Sequence, residues 1–264
     1  MQKTAEERIT QSRVRLLLSK PFFGTLATRL RIEETISIPT AGTDGRRFIF
    51  NRDFVNSLTD GELDFLVGHE VLHCVYDHMV AREDRNPMVY NMAADFVINM
   101  ELVTNRVGDP IGSDKLNGGE MCLDWKYQGM NSYEVYDELV KEGKQGRSMD
   151  IHFDPSGSGD ENGEGQGSAM SGMSEEERKQ LADEIKQAAI SAAQAAGGEV
   201  PDNIKRIINE LTAPKMDWRD ILRTNLESSL KSDFTFMRPS KRSGEVIFPG
   251  MNKDEELNIV VAVD

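Results

Sequence analysis

Cysteine is nearly missing from this chain. Cys74 and Cys122, in 264 residues, are too few for a disulfide framework and do not form a CxxC pair, which fits a reducing compartment. Positive charge is also short: 31 Lys and Arg stand against 45 Asp and Glu, a net charge of -14. Such a chain repels phosphate backbones, so no nucleic-acid partner is expected. No apolar run approaches the roughly 18–20 residues that span a bilayer, so no membrane partner is expected either. The opening MQKTAEERITQSRVRLLLSK has charge where a secretory signal needs apolar residues, and the expected location is cytoplasmic. Large apolar side chains are almost missing from DPSGSGDENGEGQGSAMSG, Asp154 to Gly172. That segment cannot bury enough surface to offset ordering, so 151–173 reads as a flexible acidic linker.

What remains is patterned as α+β. Residues 5–19 read as a helix ended by KPFFG, and 25–38 as a strand or hairpin arm. TAGTDGRR is turn-rich, and RRFIF, Arg46 to Phe50, reads as a strand of a small antiparallel sheet. Thr59 and Glu62 form a capping box that opens a helix over 59–83. Its apolar residues fall on nearly all sides, as in a helix buried at the centre of a domain. Asn86 and Pro87 start a second helix that runs to about 103. Residues 107–131 read as irregular. Further helices are expected from Ser132 to Gly143, over 174–196 and 201–211, and in DWRDILRTNLESSL, before a buried strand ELNIVVAVD.

Three of the four histidines lie in LVGHEVLHCVYDHMVA, Leu66 to Ala81. His69 and His73 are four apart, so on a helix both imidazoles face one side and can meet one metal ion. Glu70 sits beside the first histidine, where it can act as general base on a water without ligating the metal. A five-residue pattern also arises by chance, and histidines of a buried helix can be merely hydrogen-bonded. Against that, two histidines and a glutamate on a nearly all-apolar helix are costly to bury without a use.

Catalytic zinc usually takes three protein ligands. His78 is nine residues after His69 and, on a continuous helix, points to the opposite side. The second helix offers Asn91, Asp95 and Asn99 at four-residue steps. With a short turn near 84–86 the two helices pack antiparallel, and Asp95 comes level with His73. Asp95 is therefore the expected third ligand. Asn91, Asn99 and His78 are expected to stand around the ligands and orient them. The alternative keeps Asp95 outside the metal, holding a histidine N–H, with His78 or another residue as the ligand. His152 is a candidate to stabilise the transition state, as are Tyr90, Tyr127 and Tyr133, although a surface histidine and core tyrosines are the plainer readings. Cys74 points away from His69 and reads as a buried thiol. RPSKR, Arg238 to Arg242, is a local basic cluster in an acidic chain.

HEVLHCVYDH, NMAADFVIN, YQGMNSYEVYDEL, DWRDIL, FTFMRPSKRSGEVIFPGM and LNIVVAVD together resemble the bacterial and phage metallopeptidases, of the zincin superfamily, that carry a C-terminal VWA-like domain. The resemblance implies a zincin-like domain over 1–150, with a small mixed sheet whose edge strand lies over the metal and a central HExxH helix. It also implies a helical region with an extended loop over 174–250 and the start of a truncated VWA-like domain over 251–264. In that picture Arg46–Phe50 is the edge strand to which a peptide adds. The implied activity is zinc-dependent hydrolysis of a protein or peptide, with Zn²⁺ on His69, His73 and Asp95 and Glu70 as base. Loops after 104 and the segment around 232–250 would shape the groove or cover it. The rival is a non-catalytic zincin-fold adaptor working with a VWA-like domain and a partner AAA+ ATPase, a role in which Glu70 has no task.

Overall fold

The computed structural model describes residues 3–76, 85–116, 121–143, 174–197, 200–212, 233–235, 240–242 and 246–252. The expected linker 151–173, the DWRDIL helix and the terminal strand ELNIVVAVD lie outside the described residues. Two compact units are present, Met1–Leu211 and Thr212–Asp264.

In the first unit α1 (Ala5–Ser19) starts at a capping box in which Thr4 accepts from Glu7 N and Glu7 accepts from Thr4 N. KPFFG does not end in an extended arm as expected. Pro21 instead opens a short helix, α2 (Pro21–Ala27), because a proline at the first helical position gives up no intrahelical hydrogen bond. Among the described residues of this unit, extended structure is confined to β1 (Arg31–Glu34), β2 (Ala41–Thr43) and β3 (Arg47–Phe50).

The sheet is mixed, as the family resemblance implies, and not antiparallel throughout as the strand pattern alone reads. Its order is β1-β3-β2, with β3 parallel to β1 and antiparallel to β2. The strand expected at the edge is therefore central. Phe48, Ile49 and Phe50 are consecutive buried residues, the signature of a strand covered on both faces rather than one side only. The edge beside the central helix belongs to β2, within the stretch that reads as turn.

Helix α3 (Arg52–Ser57) leads into α4 (Asp60–Val75), whose Thr59–Glu62 capping box is as expected. Glu62 also accepts from Gly112 N and Lys115, which ties the loop after α5 to the start of α4. Burial raises the Glu62 carboxyl, but these hydrogen bonds and those from Thr59 outweigh it and bring it down to about 2. Gly108, at φ +67, lies against α4 so closely that a Cβ would stand 2.4 Å from Gly61 O and Phe65 N.

Helix α4 ends at Val75, with Tyr76 as its C-cap, well short of residue 83. The placement of His78 opposite His69 requires a helix continuous past Val75, which α4 is not. His78 itself lies outside the described residues. Helix α5 (Pro87–Thr104) begins as expected, with Asn86 Oδ1 accepting from Met88 N and Val89 N.

One core surrounds α4: Ile9 and Leu16 from α1, Phe22 and Phe23 from α2, Phe48 and Phe50 from β3, and Ile98 and Leu102 from α5. Helix α7 (Glu175–Ala195) and helix α8 (Asp202–Thr212) close it with Ala188, Ala192 and Ile204. A second face of α5 (Val89, Met92, Ala93, Val97) packs on Val135 and Leu139 of α6 (Ser132–Lys141). No described helix is long and apolar enough to cross a membrane. In the second unit, β4 (Asp233–Thr235) pairs antiparallel with β5 (Gly250–Asn252).

Candidate metal centre

Helices α4 and α5 bring three donor groups together. His69 Nε2 and His73 Nε2 are 2.9 Å apart. Asp95 Oδ1 lies 3.6 Å from the first and 3.3 Å from the second. All three residues are fully buried, and their ligand atoms lie within 4.8 Å of one another. A tetrahedral zinc with bonds of about 2.0–2.1 Å holds its ligand atoms about 3.3 Å apart. The two carboxylate distances match that spacing, and the imidazole pair needs to open by a few tenths of an ångström. Two imidazoles and a carboxylate are also a donor set that zinc accepts. The residues therefore fit a divalent ion.

Close approach of the helices makes this possible. Gly68, next to His69, faces α5; a Cβ there would come 3.0 Å from Leu102 Cδ2 and from Val107 Cγ1. With hydrogen in that place, the helices approach closely enough for side chains of both to share one small space.

Asn99 fixes the first imidazole. Its Nδ2 donates to Cys122 O at 3.0 Å, so Oδ1 must be the atom 2.8 Å from His69 Nδ1. His69 Nδ1 then carries the hydrogen, and the Nε2 lone pair is left for a metal, the arrangement that outer partners of metal-bound histidines usually impose. The Cys122 carbonyl is the part of this chain of contacts that sequence reasoning missed, because nothing in the sequence marks a backbone acceptor 23 residues downstream. Asn91, one turn before Asp95, is half-buried and makes no hydrogen bond to these groups.

Glu70 is fully buried on the same turn of α4 as His69. Cys74 is a buried thiol that donates to Glu70 O at 3.2 Å and lies 3.6 Å from Thr43 Oγ1 of β2. Burial pushes its pKa up to about 12, with the Glu70 charge adding to the rise and the Thr43 contact opposing it. Its sulfur is not among the donor atoms that gather between α4 and α5. Tyr90 and Tyr127 are core residues, as the plainer reading had it. His152 lies outside the described residues, as does Arg238 of the basic cluster.

The chain matches the family model described as "Putative metallopeptidase domain" over residues 4–252, and it belongs to that family. No curated protein and no solved structure matches it.

Proposed function

We propose that the protein is a zinc-dependent peptidase that hydrolyses a protein or peptide at the α4–α5 site. The observation that carries this reading is the His69–His73–Asp95 cluster, drawn from two helices, fully buried and spaced like the corners of a metal's coordination shell. Family membership supports the same chemistry.

His69, His73 and Asp95 would hold the ion, and Asn99 would keep His69 in the ligating tautomer through the Cys122 carbonyl. Zinc supplies Lewis-acid polarisation of the scissile carbonyl and lowers the pKa of a water to about 7. Glu70 takes the proton of the attacking water and returns it to the leaving amine, the work of a general base that becomes a general acid. Glu70 is fully buried one residue from His69, on the helix that carries both imidazoles. The zincin-like architecture belongs to this proposal, as does a VWA-like sequel that recruits an AAA+ ATPase. The full burial of the site supports a latent enzyme whose cover must move before substrate enters.

The test is Glu70→Gln. Zinc content should stay at the wild-type level while peptide hydrolysis falls by at least about 100-fold. A variant that keeps its activity would remove Glu70 from the mechanism. A wild-type protein that binds zinc but cuts nothing, even after limited proteolysis to remove a cover, would favour the adaptor role.

A further inference from the structure

A groove of about 290 Å³ opens between the C-terminal end of α4, α5, the start of α6 and α8. The half-buried rings of Tyr76 and Tyr133, the latter with the Arg85 guanidinium 4.3 Å from its centre, give it an aromatic side backed by the core ring of Tyr90, and Arg206 and Asn203 of α8 line it from another side. Tyr76 stands on the face of α4 that carries the metal centre. It comes seven residues after His69 and three after His73, so on α4 it falls within about 20° of His69 and about 4.5 Å beyond His73 along the axis. Its backbone remains in the helical region, at φ -81 and ψ -1, and its hydroxyl oxygen is buried.

The charges in the groove are unequal. Glu134 is engaged at the α6 cap, where its carboxylate accepts from Asn131 N at 2.8 Å. Asp202, the neighbouring acid on α8, pairs with Lys205. Asn203 donates to Glu101. Arg206 is exposed and makes no hydrogen bond or ion pair among the described residues. A guanidinium without an ion-pair partner among the described residues, beside tyrosine rings and in a chain of net charge -14, is complementary to a ligand that joins a carboxylate to an apolar body.

We propose that this groove receives the C-terminal residue of a peptide, with its apolar side chain against the tyrosines and its free α-carboxylate on Arg206. The volume holds one or two residues rather than a long extended segment. An acidic side chain would satisfy Arg206 but bring little apolar surface to the tyrosines, whereas an apolar C-terminal residue supplies both. The inference rests on the peptidase reading and deepens it: cleavage would fall close to a chain end.

The experiment is a calorimetric or NMR titration of the metal-free protein with three probes: N-acetyl-phenylalanine, its amide, and N-acetyl-glutamate amide. The free acid should bind about 10–100-fold more tightly than the phenylalanine amide, and also more tightly than the glutamate probe. Arg206→Gln should erase the preference and Arg206→Lys should keep part of it. In cobalt-loaded protein, the acid's ring protons should relax faster than in zinc-loaded protein, which places the groove beside the ion. The proposal is overturned if acid and amide bind alike, if the glutamate probe binds best, if Arg206→Gln changes nothing, or if cobalt leaves relaxation unaltered. Metal content is measured separately. A protein that takes up no metal would contradict the peptidase reading, while the Arg206-dependent preference would still decide whether the groove recognises a terminal carboxylate.

Discussion

Helices α1 and α4 begin alike and end up in different worlds. Each opens with a threonine cap and a glutamate three residues later that closes the box. Beyond that first turn α1 is an ordinary covering helix. Ile9 and Leu16 face the core, whereas Val14, Leu17 and Leu18 remain exposed, Leu18 at 82%. Helix α4 buries every residue from Phe65 to Cys74, including two imidazoles and a carboxylate. The contrast separates what starts a helix from what a helix is for. Capping fixes a boundary wherever it occurs. Polar groups are placed at the dry centre of a domain only where other groups satisfy them, because burying them otherwise costs several kcal/mol. For the two imidazoles of α4 the partners come from α5, Asn99 on His69 and Asp95 facing both, and that arrangement is geometrically ready for an ion.

Breaking the contrast at the metal centre should have the largest effect. Asp95→Ala removes one of three donors, and zinc affinity should fall by more than about 100-fold in a competition with a chromophoric chelator. A smaller loss would shift the third-ligand role toward another residue such as His78. Next in size, Leu66→Ala in the packed middle of α4 should destabilise the fold by about 2–5 kcal/mol in urea unfolding. Leu18→Ala on the exposed face of α1 should stay within about 0.5 kcal/mol. Equal costs at the two positions would mean that α1 is covered in solution.

Asn99→Ala sharpens the comparison by leaving all three donors in place. Zinc affinity should drop by about 10–100-fold while unfolding remains cooperative. The smallest effect concerns the cap itself. Glu62 has a folded pKa near 2, below its ordinary 4.5, so it stabilises the fold above about pH 4.5 and that contribution is lost as pH falls toward 2. Glu62→Gln should flatten the acid limb of the stability curve over that window, and Glu7→Gln at the exposed box of α1 should change it less. An unchanged acid limb in Glu62→Gln would remove the hydrogen bonds to Lys115 and Gly112 as its cause.

Much of the site was legible in the sequence because it follows from helical spacing. His69 and His73 share a face, and the four-residue steps of α5 put Asp95 and Asn99 where the structure has them. Tyr76 was legible by the same rule, at the seventh residue from His69, and was overlooked. The sheet was less accessible. The run Phe48–Ile49–Phe50 carried the sign of a central strand, but β2 is only Ala-Gly-Thr beside turn residues, and nothing local marks it as the edge strand next to α4. Three residues hold too little pattern to set against a glycine and a turn. The end of α4 was misplaced because apolar residues continue past Val75, and periodicity alone cannot show where a helix stops. The Cys122 carbonyl that holds Asn99 depends on the path of an irregular segment, which is set by packing rather than by any motif.

The most direct measurement is metal content by mass spectrometry after dialysis of wild-type protein and His73→Ala against trace zinc. The expected result is about one zinc per wild-type chain and almost none in the variant, with both folded by circular dichroism. A wild-type chain without zinc, or a variant that retains it at the wild-type ratio, would contradict a metal centre between α4 and α5.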